Sequence, residues 1–395
     1  MSKQKIELVP PHGGKLAPLF ISDKIEHSKI LDRAQGLKPI FLDSKSESDV
    51  IMLATGAYSP LTGYMGRADY ESVVEQMRLY NGLLWPIPVT LPVSRQVAEA
   101  LKPDEEISLM SKESNQIMAV MTISEIYGYD KEYEARKVFS TTDKSHPGVA
   151  KIVEQGDTYL AGPIQVLSEG EYPEVYPEFS RPSETRAIFE ARGWRTIAAF
   201  QTRNPIHRSH EYLTKVALEL CDGLLIHPVV GKLKAGDIPA EIRMKCYRAM
   251  LDNYYNPETT ILKVYPIEMM YGGPREALLH AIIRQNFGCS HMIIGRDHAG
   301  VGDFYGAFDA QEIFATLKPG DLHLKPINMD WTYWCYKCES IVSVKTCPHD
   351  HVDHLMISGT KLREMLEAGE RPPAEFSRPE VMDILSKYYQ DLKYT

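Results

Sequence analysis

The pattern of apolar and polar positions changes character near the middle of the chain. Up to about residue 167, short apolar runs typical of β-strands, such as Trp85–Leu91 and Gln116–Ile126, alternate with turn-rich segments and a few helical stretches. This pattern predicts a compact, mostly β N-terminal domain over residues 1–168. The acidic, proline-bearing segment over 168–182 is typical of a linker.

Beyond the linker, apolar strands alternate with segments of helical periodicity. The predicted strands are Thr196–Gln201, Gly223–Val230, Thr260–Val264 and His291–Gly295, and the predicted helices are Pro205–Leu220, Ala240–Tyr254 and Pro274–Phe287. This alternation predicts an α/β fold with a parallel sheet covered by helices on both faces, over residues 169–325. Ligands of such sheets bind at the carboxyl ends of the strands, so the loops after Gln201, Val230 and Gly295 are candidate sites. A smaller C-terminal segment, 326–395, follows.

The composition narrows the classes of protein to consider. The chain has 395 residues, of which 44% are hydrophobic and 25% charged, and this balance is typical of a soluble globular protein with two or three domains. No apolar run approaches the roughly 20 residues of a membrane helix, and Met1–Leu16 lacks the apolar core of a signal peptide. We therefore expect a cytoplasmic protein without membrane association. The net charge of −9 disfavours nucleic-acid binding.

A candidate anion site lies where the first strand of the parallel sheet becomes a helix. The sequence there reads QTRNPIHRSH over 201–210. Asn204 is a favourable N-cap and Pro205 suits the first helical position, which places His207 and His210 on one face beside the free N–H groups of the helix N-terminus. Arg203 adds a planar guanidinium group suited to phosphate or sulfate oxygens. Two histidines at this spacing are more often a solvated helix face, but the cap and the arginine favour an anion site.

Two further motifs lie downstream. The loop GRDHAG, over 295–300, follows an apolar strand, and its Arg296 is suited to stabilise charge on a transferring phosphoryl group. The sequence ISGTKLR, over 357–363, opens another helix. An HxxH motif followed by ISxTxxR resembles the signature pair of the nucleotidylyl transferase superfamily. The class I aminoacyl-tRNA synthetase alternative requires a KMSKS loop after HxxH, and the nearest match, 110–112, lies before it.

The two motifs together, QTRNPxHxxH and GRDHAG, resemble the paired signature of ATP sulfurylases. Further similarity is found in PHGG over 11–14, the loop over 56–65, LWPIP over 84–88 and YGGPREA over 271–277. The resemblance implies a PUA-like N-terminal domain, a Rossmann-like catalytic domain and a small C-terminal α/β segment. No Walker loop and no kinase extension for adenylylsulfate is found, so the bacterial monofunctional type is expected.

The resemblance also implies roles for individual residues. Sulfate would be held by Gln201, Arg203 and the backbone N–H of Ala299. His207 and His210 would steady the phosphates and the pyrophosphate leaving group. The residues implied in catalysis are Thr202, Arg203, Asn204, His207, His210 and Arg296. Those implied in ATP binding are Gln201, Thr202, Arg203, Asn204, His207, His210, Gly295, Arg296, Asp297 and His298.

The implied reaction joins ATP and sulfate to give adenosine 5′-phosphosulfate and pyrophosphate. Sulfate is already ionised, so an in-line attack on the α-phosphorus needs positioning and charge compensation but no general base. Mg²⁺ is expected with ATP, and a homodimer is implied by the family. The sequence leaves the physiological direction open. It also leaves open a nucleotidylyltransferase with another acceptor and a regulator that binds nucleotide without turnover, whereas an RNA-binding protein is disfavoured by the charge.

Three cysteines and a neighbouring histidine indicate a metal site. Cys335, Cys338 and Cys347 form the CxxC and third-cysteine pattern of zinc proteins, and four protein ligands would make the site structural. His351 is expected as the fourth ligand because some bacterial ATP sulfurylases have a similar spacing, and His349 is the alternative. Free thiols or a redox-active CxxC pair are the other interpretations, although no thioredoxin-like strand–helix context surrounds the pair.

Overall fold

A computed structural model describes residues 7–232, 237–357 and 359–393 of the chain. Three β-sheets organise these residues, and each sheet is formed by a different part of the sequence. Within the described ranges, no helix combines the length and the apolar character needed to cross a membrane.

The N-terminal part is built on a seven-stranded sheet. Its strands are β1 (Lys38–Leu42), β2 (Gly63–Tyr64), β3 (Leu91–Val93), β4 (Glu106–Ser111), β5 (Ile117–Thr122), β6 (Glu125–Gly128) and β7 (Thr158–Val166). Its helices are α1 (Lys24–Ala34), α2 (Ser44–Thr55), α3 (Arg67–Gln76), α4 (Arg95–Glu99), α5 (Lys131–Phe139) and α6 (Pro147–Glu154). The strand order is β1-β4-β5-β7-β2, with β3 and β6 also paired to β7. The predicted β-rich domain is therefore present.

The run Trp85–Leu91, predicted to be a strand, is not one. Pro86 and Pro88 lack the N–H groups that a sheet ladder requires, and only Leu91 belongs to a strand, as the first residue of β3. The run contributes to the core instead. Trp85 is fully buried, and its ring meets that of Tyr58 edge-on with centroids 5.7 Å apart.

The middle of the chain carries a five-stranded sheet in which all strands are parallel. Its helices are α7 (Tyr172–Val175), α8 (Pro182–Arg192), α9 (Arg208–Leu218), α10 (Ala240–Tyr254), α11 (Gly273–Asn286) and α12 (Asp309–Glu312), and a 3₁₀ turn follows (Ile313–Thr316). Its strands are β8 (Ile197–Phe200), β9 (Gly223–Ile226), β10 (Thr260–Leu262), β11 (His291–Ile294) and β12 (Lys325–Asn328), in the order β10-β9-β8-β11-β12. The predicted α/β class is confirmed. Because β12 belongs to this sheet, the sheet extends past the expected domain end at residue 325.

Both faces of the central strand β8 are covered by helices. Ala198 and Phe200 share a hydrophobic core with residues of α9 and α10, whereas Ile197 and Ala199 share another with residues of α11. A strand covered on both faces requires a continuous apolar run, which is what this segment of the sequence provides.

The C-terminal part completes the parallel-sheet domain and adds a small lobe. Its elements are strands β13 (Thr332–Cys335), β14 (Ser340–Ser343) and β15 (His354–Leu355), a 3₁₀ turn (His351–Asp353), and helices α13 (Gly359–Ala368) and α14 (Pro379–Lys393). The three strands form an antiparallel sheet in the order β14-β13-β15. Leu366 of α13 and Leu385 of α14 share a core with Tyr247 of α10, so these two helices pack on the parallel-sheet domain.

Helix α11 joins the N-terminal and parallel-sheet domains through its last residue. The fully buried Asn286 accepts a hydrogen bond from the N–H of His12 (2.8 Å) and donates to the carbonyls of Ala57 (2.9 Å) and Ser59 (3.0 Å). One side chain thus satisfies three backbone groups of the N-terminal domain.

Replacing Asn286 with Ala is expected to lower the free energy of unfolding by about 3 kcal/mol or more, because each buried backbone group left without a partner costs about 1–3 kcal/mol. Urea denaturation measures the change. Asn253→Ala is the control, because its amide donates only to Ala249 on the exposed face of α10, and it should change stability by about 0.5 kcal/mol or less. Equal effects of the two substitutions would contradict the role of Asn286 at the domain junction.

Candidate active site

The carboxyl ends of strands β8 and β11 open into one cavity of about 710 Å³. All residues predicted from the two motifs line it: Gln201, Thr202, Arg203, Asn204, His207, His210, Gly295, Arg296, Asp297, His298 and Ala299. Neighbouring parallel strands end at the same edge of a sheet, so segments almost a hundred residues apart in sequence meet in this cleft.

The first motif forms a loop before it becomes a helix. The predicted helix start at Pro205 is wrong, because α9 begins at Arg208 with His207 as its N-cap. The Thr202 hydroxyl accepts a hydrogen bond from the N–H of Asn204 at 3.0 Å, an interaction typical of turns that competes with helix formation. The loop is therefore three residues longer than predicted, and the first motif lies along the wall of the cleft.

His207 and His210 lie against each other at the start of α9. Their ring centroids are 3.8 Å apart, and Phe376 stacks on the other side of His207 at 5.0 Å. Burial lowers the pKa of His210 to about 4. Burial, and secondarily the neighbouring His210, lowers the pKa of His207 well below its usual value. Both rings are therefore neutral near pH 7, and the buried Nδ1 of His207 has no hydrogen-bond partner among the described residues.

Two arginines of the cleft are each held over an aromatic ring. The Arg203 guanidinium lies 4.9 Å from the centroid of the Tyr271 ring, and that of Arg296 lies 4.2 Å from the Trp331 ring. Arg296 also pairs with Asp330 at 3.7 Å. Stacking on an aromatic face fixes the plane of a guanidinium group and leaves its N–H edge for hydrogen bonds to an oxyanion.

The second motif is a turn with unusual backbone angles. Asp297 and Ala299 have φ values of 47° and 60°, in the left-handed region that residues with a Cβ rarely adopt. Gly300 follows this turn, and a Cβ there would lie 1.8 Å from the Asp297 Oδ1, so any larger residue would displace the Asp297 side chain. Burial raises the pKa of Asp297, whereas nearby Arg203 lowers it in part. Such strained turns concentrate at ligand-binding sites.

Helix α11 contributes residues that the sequence analysis missed. The Arg284 guanidinium donates to the Oε1 of Gln201 at 2.5 Å, and the Nε2 of Gln201 lies 3.0 Å from the Nδ1 of His280. The Nδ1 of His280 also lies 3.2 Å from the Nε2 of His298. A histidine and an arginine four residues apart in the otherwise apolar sequence ALLHAIIR were the available signal.

The C-terminal segment supplies a further wall of the cleft that was also missed. Trp334 of β13 and its cross-strand neighbours Ile341 and Leu355 line the cavity. From the third motif, Ile357 and Lys361 line it as well, and Ser358 lies outside the described residues. The sequence signal for this wall is the aromatic-rich run DWTYW over 330–334.

The cysteine cluster forms a four-ligand group on the antiparallel sheet. One ligand atom from each of Cys335, Cys338, Cys347 and His349 lies within 4.8 Å of the others. The Nδ1 of His349 lies 3.4, 3.2 and 3.8 Å from the three sulfur atoms in that order. Three thiols and an imidazole are a donor set suited to zinc, with no position left for substrate.

The expected fourth ligand, His351, is wrong. His351 is exposed at the start of a 3₁₀ turn, and His349 takes its place. The reason is local geometry. Pro348 favours an extended backbone at Cys347, and residues two apart in an extended segment point to the same side.

Comparisons with known proteins agree with the motifs. Residues 179–388 match the family described as ATP-sulfurylase, and residues 9–169 match the PUA-like domain. The chain is 50% identical over 387 residues to a sulfate adenylyltransferase of Desulforamulus reducens, covering 98% of this chain and 99% of that protein. It is 51% identical over 389 residues to one of Chlorobaculum tepidum, covering 98% and 96%. The family resemblance inferred from the two motifs is thus confirmed.

A solved structure supports the same assignment of the fold. The chain resembles one described as a hexameric APS kinase from Thiobacillus denitrificans, with a TM-score of 0.74 and 27% identity. The match covers 96% of this chain and 69% of that one. The PUA-like and Rossmann-like arrangement expected from the sequence is confirmed.

The metal cluster generates a prediction that separates the two histidines. Wild-type protein is expected to carry about one zinc per chain, and His349→Ala to lose most of it under mild chelation, because three thiolates alone leave the tetrahedron incomplete. His351→Ala, the matched control, should retain zinc. Elemental analysis of the purified proteins measures this. Loss of zinc in His351→Ala with retention in His349→Ala would restore the original assignment.

The half-buried histidines at the start of α9 generate a prediction about pH. Folded His210 resists protonation down to about pH 4, whereas the unfolded chain takes up that proton near 6.5. The unfolded state therefore binds more protons between these values, and stability is lost as the pH falls through this window. His210→Gln should reduce this slope by at most about 1.4 kcal/mol per pH unit. Urea denaturation from pH 4 to 7 measures it, with exposed His351→Gln as control, and unchanged slopes in both variants would contradict the burial effect.

Proposed function

We propose a mechanism for the cleft on the premise that the chain belongs to the ATP sulfurylase family. The reaction is sulfate adenylyl transfer, in which ATP and sulfate give adenosine 5′-phosphosulfate and pyrophosphate. The observation that carries the mechanism is the meeting of Arg203, Arg296, His207 and His210 in one cavity of an acidic protein. Cationic and N–H groups gathered in one place are what two anionic substrates require.

Sulfate binds at the β8 end of the cleft. Gln201, Arg203 and the backbone N–H of Ala299 hold its oxygens. The support is geometric: Arg203 is braced against Tyr271, and Ala299 lies in the strained turn beside it. A braced arginine offers its N–H groups in a fixed plane, which suits a tetrahedral oxyanion.

ATP binds along the rest of the wall. Thr202, Asn204, Gly295, Asp297 and His298 contact the nucleotide. His207 and His210 meet the phosphates at the N-terminus of α9, where the first backbone N–H groups of the helix add positive potential. Their rings are neutral without ligand, so each can donate one ring N–H to a phosphate oxygen, and the approach of negative phosphates favours protonation.

The chemical step is a displacement at the α-phosphorus. One sulfate oxygen forms a bond to this phosphorus as the bond to the bridging oxygen breaks, and pyrophosphate leaves with the electron pair. Arg296 balances the charge that develops, and no side chain needs to remove a proton because sulfate is already ionised. Mg²⁺ bound to the phosphates would neutralise further charge; the carboxylates in the described wall are Asp297, Asp330 and Glu375.

The small antiparallel sheet over 332–355, which carries the cysteine cluster and is called the metal lobe, has a structural role in the proposed mechanism. Zinc bound by Cys335, Cys338, Cys347 and His349 would hold strand β13, whose Trp334 lines the cleft. A cytoplasmic location and a homodimer remain predictions, and the physiological direction remains open.

ATP formation from adenosine 5′-phosphosulfate and pyrophosphate with Mg²⁺ tests the proposal. Wild-type protein should be active, and Arg203→Ala should lose about 10²–10³ in kcat/KM, the usual effect of removing one preorganised donor to a developing anion. Arg195→Ala is the control, because this exposed arginine precedes the same strand at its opposite end.

Two results would overturn the assignment. Full activity in Arg203→Ala would contradict the proposed binding of sulfate at Arg203. Inactivity of folded, metal-loaded wild-type protein would favour another acceptor or a regulatory protein without turnover.

A further inference from the structure

One face of helix α11 carries three polar side chains behind the cleft. Glu276, His280 and Arg284 are spaced four apart and are all fully buried. Residues at this spacing lie on one face of a helix, and buried ionisable groups are costly unless they are paired. None of the three side chains has a role in the proposed chemical step, so the burial of three ionisable groups behind the cleft requires another explanation.

Of these three residues, Arg284 contacts the amide oxygen of Gln201. Its Nη2 donates to the Oε1 of Gln201 at 2.5 Å, and its guanidinium lies over the Tyr265 ring at 3.8 Å from the centroid. An arginine side chain has donors and no acceptor. Only the oxygen of the Gln201 amide can therefore face Arg284, because a flipped amide would set its NH₂ group against the guanidinium N–H groups.

His280 forms the second contact, on the other atom of the same amide. Its Nδ1 lies 3.0 Å from the Nε2 of Gln201, which has only hydrogens to offer, so Nδ1 is the acceptor. The Nε2–H of His280 then donates to the Oε1 of Glu276 at 3.4 Å. Glu276 is held in turn by the N–H groups of Met270 (3.0 Å) and Gly272 (2.8 Å).

We propose that Arg284 and His280 are positioning residues that lock the orientation of the Gln201 amide. The amide oxygen is held by Arg284, and one amide hydrogen is taken by His280. The second hydrogen, which has only a long contact to the weak acceptor Met269 Sδ (3.8 Å), is available to sulfate. Without the lock, the amide can rotate and set its oxygen against a sulfate oxygen, which is repulsive. This inference rests on the proposed sulfate site at Gln201.

Direct attraction between the Arg284 charge and sulfate is the competing explanation, and a double-mutant cycle separates the two. The variants are Arg284→Met, Gln201→Ala and the double substitution. The measured quantities are the KM for sulfate, the KM for ATP and the dissociation constant for sulfate by calorimetry. If Arg284 acts through Gln201, its removal has no further effect once the amide is gone.

The expected result is specific to one substrate. Arg284→Met should raise the sulfate KM and dissociation constant roughly tenfold to a hundredfold, the effect of one hydrogen bond to a charged group, with the ATP KM changed less than about twofold. The double variant should match Gln201→Ala. Arg275→Met is the control, because Arg275 lies on the same helix but donates to the carbonyls of Val73, Val74 and Pro86.

The inference would be overturned if the increases in the sulfate dissociation constant caused by the two single substitutions multiplied in the double variant. It would also be overturned if Arg284→Met raised the KM values for ATP and sulfate equally. If Arg284→Met does not fold, the cycle is run with His280→Leu, and His280→Gln, which keeps an amide acceptor and donor, should restore most of the sulfate affinity. Wild-type protein that binds sulfate without turnover would contradict the proposed function alone, since the binding cycle would still decide the role of Arg284 and His280.

Discussion

Repulsion between two anions is the constraint on which this structure depends. Sulfate and the triphosphate of ATP must approach to bonding distance inside a protein whose net charge is −9. Two parallel strands, β8 and β11, end at one edge of a sheet, and the loops that follow place Arg203 and Arg296 in one cleft, which in the proposed mechanism meets this constraint. A few well-placed N–H groups in a partly desolvated cleft have more effect there than the overall charge of the protein.

The N-terminal domain and the metal lobe, the small antiparallel sheet over 332–355, both contribute to this cleft. Helix α11 connects to the N-terminal domain through Asn286 and, two turns earlier, supports the wall of the cleft through His280. In the metal lobe, strand β13 carries Cys335 of the metal cluster and, next to it, Trp334 of the cleft wall. The cleft is therefore made by the packing of all three parts of the chain, although its two arginines, Arg203 and Arg296, come from the central domain.

Much of the fold and of the site could be predicted from the sequence. The apolar run at 196–201 was predicted as a strand of a sheet with helices on both faces, and the motif residues at 201–210 and 295–300 follow strands of one parallel sheet. These features are local: the period of apolar positions and the chemistry of a short motif are set by neighbouring residues. The errors occurred where the apolar pattern was outweighed by another local property: the Thr202–Asn204 turn before α9, and the missing N–H groups of Pro86 and Pro88.

The sequence by itself determined the class of fold, the family, the cationic residues of the cleft and the three cysteines of the metal cluster. The choice of His349 over His351 beside these cysteines is also local, because it follows from the backbone around Pro348. Tertiary structure decided that Arg284 meets Gln201, 83 positions away, and that Trp334 lines the cleft. Such pairings depend on how strands and helices pack, and no periodicity or motif spacing records them, because the side chains involved are brought together only when the chain has folded.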